Sequence, residues 1–535
     1  MGRKLVQILV VFGVIPIVIS EVYTALTHMK GLIRMEKTLT RELEHFLTSH
    51  PKAPAEFHRL AIEVKTQTSD IKNDLERFLG HPLNAFLLIR RYRKQWKELE
   101  EYLRKNDDES ELFQMLEAFS TGFPTDEDVL GCVRAIMRIQ EVYQISAKQI
   151  ADGKLSNKTV TPQLNAEHCF EIGFAYYQWE NYAQAYGWLI EGMTRLEKPF
   201  EYNGPLRRVQ VLEFLSWTEY MTDRLIDALK HALELLQLDP ENDYAVRNIQ
   251  FLTNEVQKAN DKGGPYERQE AFFKKPQKEK EEYMKVYERL CRGISLKSQA
   301  QLGRLKCYYE TKLHPMLKLR PLKVEMINED PYIVMLRDVM YDHEIEYIKK
   351  TAAPLLNRAT VTNSETGDLE FADYRVSKSG WLEDFTHDND EGILKRINRR
   401  SSIITGLKTD NTSAESLQIV NYGTAGHYEP HFDHATEPYS AIMRLGMGNR
   451  IATLLFYMSD VESGGSTVFI ETEAIARPSK GDAVFWYNLR KSGEGDTLTQ
   501  HAGCPVVVGS KWVCNKWIHE MGQEFRRPCG LTIDE

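Results

Sequence analysis

The sequence predicts a multidomain α + β protein, with an all-α N-terminal half followed by a C-terminal β-barrel or jelly roll. Up to about residue 260, apolar residues recur at three- and four-residue steps between charges, the pattern of amphipathic helices. From Leu319-Arg-Pro-Leu322 to the end, short β-type runs alternate with Gly and Asp turns, as an all-β barrel requires. At 535 residues the chain is also long enough for several domains. Its 42% hydrophobic and 27% charged content is that of an ordinary globular protein. A net charge of -9, with no long basic run, argues against a nucleic-acid binder.

Residues 1–20 differ from the rest. Arg3-Lys4 precede an apolar run from Leu5 to Ile19, and Val18-Ile-Ser20 offers a cleavage site before Glu21. This reads as a secretory signal peptide, too short for a comfortable membrane span, with an uncleaved anchor as the rival. No other stretch reaches spanning length. A secretory route puts the seven cysteines in an oxidising compartment. Cys291 with Cys307 and Cys504 with Cys529 stand out as local pairs, leaving Cys132, Cys169 and Cys514. No Cys-x-x-Cys occurs, which argues against zinc-ribbon and thioredoxin-type sites. Asn157-Lys-Thr and Asn411-Thr-Ser are glycosylation sequons.

Residues 21–160 form the first helical domain. Met29, Leu32, Leu39, Leu43, Phe46 and Leu47 give a narrow apolar seam; after His50-Pro51 it resumes with Phe57, Leu60, Val64, Ile71, Leu75 and Phe78. Such a seam pairs with another chain or packs within a bundle of its own chain. Phe123-Pro-Thr-Asp-Glu-Asp caps a further helix running to about Ser146.

Residues 161–262 carry two imperfect repeats of the 34-residue tetratricopeptide type. Gly173, Tyr176, Ala185, Leu189 and Gly192 mark the first; Leu215, Ala228, Ala232, Leu235 and Pro240 mark the second. Two repeats with helical caps leave a concave face free for a peptide. Glu213, Phe214, Trp217 and Tyr220 lie on one helix of it, the aromatics at i, i+3 and i+6. An aromatic groove suits a polyproline II ligand, which is already extended; the same stripe is equally a pattern of core residues. Residues 263–325 read as a charged helical linker holding Cys291 and Cys307, where a disulfide would contribute about 2–4 kcal/mol. Residues 326–535 form the β domain.

The chemistry concentrates in Gln418-Ile-Val-Asn-Tyr-Gly-Thr-Ala-Gly-His-Tyr-Glu-Pro-His431-Phe-Asp433. Side chains at i and i+2 of a strand share a face, so His431 and Asp433 can hold one metal, with Phe432 turned away. His501, in Thr499-Gln-His-Ala-Gly, is the candidate third ligand. Two histidines and one carboxylate make the facial triad of non-haem Fe(II) oxygenases, with positions open for a cosubstrate and O2. Zinc hydrolysis is the rival, but a helical His-Glu-x-x-His is absent. Lys511 lies ten residues after His501, on one strand face with Val513, Asn515 and Trp517. A buried ammonium needs a partner, and a dicarboxylate's distal carboxylate would serve, as would a structural salt bridge. Thr453, Leu455 and Tyr457 form a wall with two hydroxyls. Gly464-Gly465-Ser-Thr467-Val-Phe469 reads as a tight turn into a strand.

The wording around these residues is more specific than the triad. Tyr-Glu-Pro-His-Phe-Asp, Gly-Asn-Arg-Ile-Ala-Thr-Leu-Leu-Phe-Tyr-Met-Ser-Asp-Val, Gly-Gly-Ser-Thr-Val-Phe and Asn-Lys-Trp-Ile-His-Glu-x-Gly-Gln-Glu-Phe-Arg-Arg-Pro-Cys resemble the α subunits of the collagen prolyl 4-hydroxylases. These are 2-oxoglutarate- and Fe(II)-dependent dioxygenases, and the resemblance runs over essentially the whole chain. It implies a double-stranded β-helix catalytic domain, an N-terminal dimerisation region and a separate domain for proline-rich peptides. It further implies Fe(II), 2-oxoglutarate, O2 and ascorbate as cofactors or cosubstrates. An α2β2 tetramer with protein disulfide isomerase in the endoplasmic reticulum lumen follows from it too. The chain ends Leu-Thr-Ile-Asp-Glu, without a Lys-Asp-Glu-Leu-type signal; retention through that partner would account for this, and a secreted enzyme would also lack one.

Carried over by motif, the resemblance implies His431, Asp433 and His501 as Fe(II) ligands and Lys511 as the partner of the C5 carboxylate. Tyr422, Thr453, Tyr457, Asn515 and Trp517 would line the cosubstrate pocket, with Arg375, Ser377 and Lys378 in a motif beside it. Cys291/Cys307 and Cys504/Cys529 match the family's intrachain disulfides. Glu213, Phe214, Trp217, Tyr220, Asn248 and Phe251 would line the peptide groove. The family's groove is rich in tyrosine, so Phe214, Trp217 and Phe251 are departures that imply weaker or altered polyproline binding. The function implied is hydroxylation of proline in X-Pro-Gly sequences. A lysyl or non-collagen prolyl hydroxylase on the same scaffold, and a non-catalytic chaperone for proline-rich chains, are the alternatives.

Overall fold

The computed structural model describes residues 26–69, 71, 74–156, 163–198, 204–262, 281–362, 369–370, 372, 374–388, 392–438 and 440–532. The expected signal peptide, the sequon at Asn157 and most of the first part of the expected linker lie outside them. Among the described residues no helix is long and apolar enough to cross a membrane.

The N-terminal half is helical. Its elements are α1 (Leu26–Ser49), α2 (Ala55–Ser69), α3 (Leu75–Leu79), α4 (Pro82–Arg91), α5 (Lys97–Lys105), α6 (Glu111–Phe119), α7 (Asp126–Tyr143) and α8 (Ala147–Ala151). Pro82 starts α4, where a missing N–H costs nothing. A π turn, Tyr92–Trp96, carries the chain from α4 into α5. Thr125 and Asp128 form a reciprocal capping box that fixes the start of α7. The seam residues Met29, Leu32, Leu39, Leu43, Phe46, Leu47, Phe57, Leu60 and Val64 are buried together in this chain's own core. In its centre Arg91 pairs in bidentate fashion with Glu36, at 2.9 and 2.8 Å. Trp96 Nε1 donates to the same carboxylate at 3.1 Å, and both charged residues are almost fully buried. Glu36→Ala would remove the bidentate partner of that guanidinium and leave it only the counter-charge of Glu63, 3.7 Å away, an expected cost of up to about 3–5 kcal/mol. Faster hydrogen exchange across α1 and α4 is the measurement that reads it.

Two helical hairpins follow: α9 (Ala166–Gln178) with α10 (Tyr182–Leu196), then α11 (Arg208–Met221) with α12 (Leu225–Leu238). They are covered by α13 (Asp243–Lys262). The repeat glycines sit where helices touch: a Cβ on Gly173 would meet Trp188 and Leu189 at 3.1–3.2 Å. This is the close approach that the small residues predict.

After α14 (Glu282–Cys291) the sheet begins at Cys307, earlier than the expected boundary at 326. Cys307–Glu310 pairs antiparallel with Leu322–Asn328, so its aromatic-rich sequence is an edge strand instead of helical linker. Among the described residues a nine-stranded sheet runs in the order 307–310, 322–328, 333–337, 483–487, 450–457, 511–519, 417–422, 378–382, 357–358. A five-stranded sheet runs 474–476, 467–469, 501–503, 427–431, 375–376. All their pairings are antiparallel. The antiparallel two-sheet arrangement is that of a jelly roll.

The disulfide differs from the expected pairs. Cys291 is bonded to Cys504, with Cα atoms 5.5 Å apart, while Cys307 and Cys529 are exposed free thiols. Neither Cys291/Cys307 nor Cys504/Cys529 is formed. The reason is packing: Tyr287, Leu290 and Cys291 at the end of α14 are buried with Val468, Ala502 and Cys504 of the five-stranded sheet. Cys307 instead goes out to the edge strand. Cys132, Cys169 and Cys514 are free and buried, and Asn411 of the second sequon is exposed.

Candidate metal centre

His431 and His501 are direct cross-strand partners in the five-stranded sheet, which brings their rings to 4.4 Å between centroids. The strand ends at His431, so Asp433 lies just beyond it. Phe432 consequently lines the cavity and is not turned to the far face, as strict alternation predicts. Asp433 Oδ1 is 3.8 Å from His431 Nε2, and Oδ2 is 3.6 Å from His501 Nε2. One ligand atom from each of the three falls within 4.8 Å of the others.

The remaining atoms of these side chains are already committed. His431 Nδ1 donates to Glu429 O at 2.7 Å and His501 Nδ1 to Thr499 O at 3.0 Å. That fixes the tautomer and leaves each Nε2 with its lone pair facing the carboxylate. Thr453 Oγ1 and Trp517 Nε1 both donate to Asp433 Oδ2, at 2.8 and 2.9 Å, leaving Oδ1 for a metal. Asn488 Nδ2 in turn donates to Thr453 Oγ1 at 2.9 Å. Burial pushes Asp433 upward, but His501, His431, Arg450 and the Trp517 bond outweigh it and hold the carboxyl at about 2. Burial, then His501, takes His431 down to about 3. A neutral imidazole beside an ionised carboxylate is the protonation state a divalent cation needs. Two nitrogens and one oxygen, all on one side, fit iron or a related first-row metal.

The triad opens into a cavity of about 540 Å³. Lys511 lies in its lining, 2% exposed. Its ammonium donates to Thr467 Oγ1 at 3.3 Å and lies 5.3 Å from the Tyr422 ring centre and 5.7 Å from that of Tyr457. Tyr457 donates to the same Thr467 hydroxyl at 2.9 Å. No carboxylate among the described residues pairs with Lys511, and burial lowers it to about 7. A cavity holding a metal triad and a buried cation selects a ligand that carries an anionic group some distance from its chelating end.

Of the predicted pocket residues, Tyr422, Asn515 and Trp517 line the cavity. Thr453 and Tyr457 stand behind it, holding Asp433 and Thr467 respectively. Asn515 Oδ1 is buried without a partner, an acceptor free to face a ligand. Arg375 stacks over Tyr428 at 4.8 Å, and Tyr428 stacks on His431 at 3.5 Å. Arg375 also donates to Thr360 O at 3.0 Å. Ser377 is buried with an unpaired hydroxyl, and Lys378 opens the neighbouring strand.

Sequence reasoning missed Thr467, Tyr428 and a charged group at the cavity wall. Arg450 lies 3.6 Å over Trp517 and pairs with Glu415 at 2.5 Å. His519 approaches the same carboxylate at 3.0 Å. No local signal marks this group: Arg450 and His519 meet as register partners on strands far apart in the sequence.

In the helical repeats, Phe214 is half-buried among Phe174 and Tyr177, at 4.8 and 5.2 Å. Trp217, Tyr220 and Phe251 form a second aromatic group in which Tyr220 is buried, a core role. Glu213 accepts from Asn242 at 3.1 Å, and Asn248 is buried, bonded to Tyr244. Three half-buried tyrosines outside the predicted stripe lie here: Tyr177 meets Phe214, Tyr182 packs edge-on against Tyr177 at 5.5 Å, and Tyr244 lies near Tyr177. Hydroxyls therefore remain at this surface although Phe214 has none.

Comparison with known proteins covers most of the chain. Residues 25–157 match the model for the prolyl 4-hydroxylase alpha-subunit N-terminal region. Residues 166–258 match the prolyl 4-hydroxylase peptide-substrate-binding domain, and 417–519 the 2OG-Fe(II) oxygenase superfamily. The chain is 40% identical to prolyl 4-hydroxylase subunit alpha-1 of Mus musculus, over 95% of this chain and 96% of that protein. It is likewise 40% identical to the same subunit of Gallus gallus, over 96% and 99%. A crystal structure of a viral collagen prolyl hydroxylase from Paramecium bursaria Chlorella virus-1 aligns with 35% of this chain and 94% of its own, at 20% identity and TM-score 0.26.

Proposed function

The chain belongs to the prolyl 4-hydroxylase α-subunit family, and from that premise we propose that it is a procollagen-proline 4-dioxygenase acting on X-Pro-Gly sequences. The observation that carries this reading is the pairing, in one cavity, of the His431–Asp433–His501 donor set with an uncompensated Lys511. Fe(II) bound there would supply the oxidative chemistry, coupling O2 and 2-oxoglutarate to hydroxylation of a prolyl ring, with succinate and CO2 as coproducts.

The chain's own residues do the rest. His431, Asp433 and His501 would hold the metal, and the carbonyls of Glu429 and Thr499 keep both imidazoles turned toward it. Lys511 and Thr467 would hold the distal carboxylate of 2-oxoglutarate, so that the other end of the molecule faces the triad. Orientation of this kind makes a bimolecular step effectively unimolecular. Tyr422 and Val513 exclude water around that carboxylate. The cavity mouth, with Trp381 and Arg450 in its lining, would receive the prolyl segment, while the Phe214 surface would hold a more distant part of the same chain. Two modest sites on one long substrate give an avidity that neither has alone. Ascorbate is the proposed external reductant.

The leader expected from residues 1–20 and the Cys291–Cys504 bond support work in an oxidising lumen, which we assign to the endoplasmic reticulum. Protein disulfide isomerase is the proposed second subunit. The test is peptide-dependent CO2 release from 2-oxoglutarate by chain co-expressed with protein disulfide isomerase. Pro-Pro-Gly repeats are expected to stimulate release and lysine-containing peptides not to. Stimulation by lysine peptides alone would overturn the substrate, and no stimulation by either would overturn the enzyme reading.

A further inference from the structure

The helical N-terminal domain is built into the back of the catalytic centre. His501 and Lys511 are joined by residues 502–510, and that segment is held from outside the catalytic sheets. Val507 and Val508 are buried in the core of the N-terminal helices, together with Ala425. Gly509 N donates to Gly80 O at 2.9 Å, and a Cβ on Gly80 would lie 2.9 Å from Gly509 Cα. At the end of α7, Tyr143 Oη donates to Pro505 O at 2.7 Å.

The Tyr143 contact also reaches the turn before Thr467. Gly465 N donates to Pro505 O at 3.1 Å and also faces the Tyr143 hydroxyl. Gly464 and Gly465 both have positive φ, +79° and +72°, and a Cβ on Gly464 would sit 2.5 Å from Pro505 O and 2.8 Å from Tyr143 Oη. The phenol thus occupies the space that Gly464 leaves. Immediately after this turn, Cys504 N donates to Ser466 O at 2.8 Å, and Thr467 follows in register with Gly503. Thr467 is the hydroxyl that meets Lys511.

We propose that Tyr143 is a positioning residue for the 2-oxoglutarate subsite, acting through the Gly464–Gly465 turn on Thr467 and its partner Lys511. The inference rests on the subsite reading given above. Tyr143 touches neither cosubstrate nor metal; it pins Pro505 and Gly465, in the connections that lead to Lys511 and to Thr467. Loss of one hydroxyl hydrogen bond at this junction is worth about 3- to 10-fold in the affinity it supports.

The test is calorimetric titration of 2-oxoglutarate into the Fe(II)-loaded full chain without O2, alongside steady-state kinetics. Tyr143→Phe keeps the ring and is expected to weaken 2-oxoglutarate binding about 3- to 10-fold. The KM for peptide and the affinity for Fe(II) should stay within about twofold of the parent, since neither depends on the Thr467 hydroxyl. In a Thr467→Val background, adding Tyr143→Phe should have no further effect on that binding. Parental 2-oxoglutarate affinity in Tyr143→Phe, additivity with Thr467→Val, or an equal loss of Fe(II) affinity would each overturn the role given to Tyr143. Lys511→Ala run in parallel separates the two levels. If it binds 2-oxoglutarate as tightly as the parent, the subsite itself is wrong, and the role of Tyr143 falls with it.

Discussion

His431→Ala is expected to abolish turnover, at least 10³-fold below the parent, while the chain stays folded. The size follows from the geometry. A facial set of three donors has no spare ligand, and the neighbouring His434 has its Nε2 packed against Gly495, where an added Cβ would fall 2.2 Å away. Metal affinity should fall with activity, because ligand number sets both. The fold should survive because His431 bonds only a local carbonyl and stacks on Tyr428 at the cavity wall. Asp433→Ala should be equally inactive but less stable, since it strands the buried donors of Thr453 and Trp517 at about 1–3 kcal/mol each. Metal content, turnover and thermal unfolding measured on both variants decide this. Turnover retained in metal-stripped His431→Ala protein would remove the triad as the metal site.

The sequence made the metal ligands and Lys511 readable for a physical reason. Their chemistry stands out from the sequence: two imidazoles and a carboxylate of one metal donor set, and a lysine that shares a strand face with Val513, Asn515 and Trp517. The jelly roll and the helical repeats were readable from periodicity. What depended on register was not. Thr467 meets Lys511, and Arg450 meets Glu415 and His519, because strands distant in sequence lie side by side, and nothing local encodes that adjacency. Proximity in sequence also misled. Cys291 and Cys307 are near neighbours along the chain, yet α14 packs its end onto the sheet and its cysteine finds Cys504. Periodicity could not tell that Val507 and Val508 complete the core of another domain. An apolar run is satisfied by any apolar neighbour.

Lys511→Ala should raise the 2-oxoglutarate requirement about 10²-fold or more, the usual scale for removing one partner of a buried charge pair. Peptide binding should be little changed, since the peptide surface lies in a different part of the chain. Lys511→Arg should recover only part of the loss, because a planar fork cannot place its charge where a compact ammonium sits against Thr467. The pH dependence makes the prediction sharper. Burial alone lowers Lys511 to about 7 in the free protein, and a bound carboxylate favours the charged form, so binding raises that value. Below pH 7 the lysine is already charged, and affinity should be flat. Above pH 7 the free protein must take up a proton to bind, so affinity should fall by up to tenfold per pH unit until the value in the complex is reached. Both carboxylates of 2-oxoglutarate are ionised throughout this range and add no slope of their own. Titrations between pH 6 and 9 should therefore show proton uptake on binding in the parent and none in Lys511→Ala. A parent whose 2-oxoglutarate affinity is independent of pH, or a Lys511→Ala variant that keeps the slope, would assign the proton to another group and leave Lys511 with a structural role.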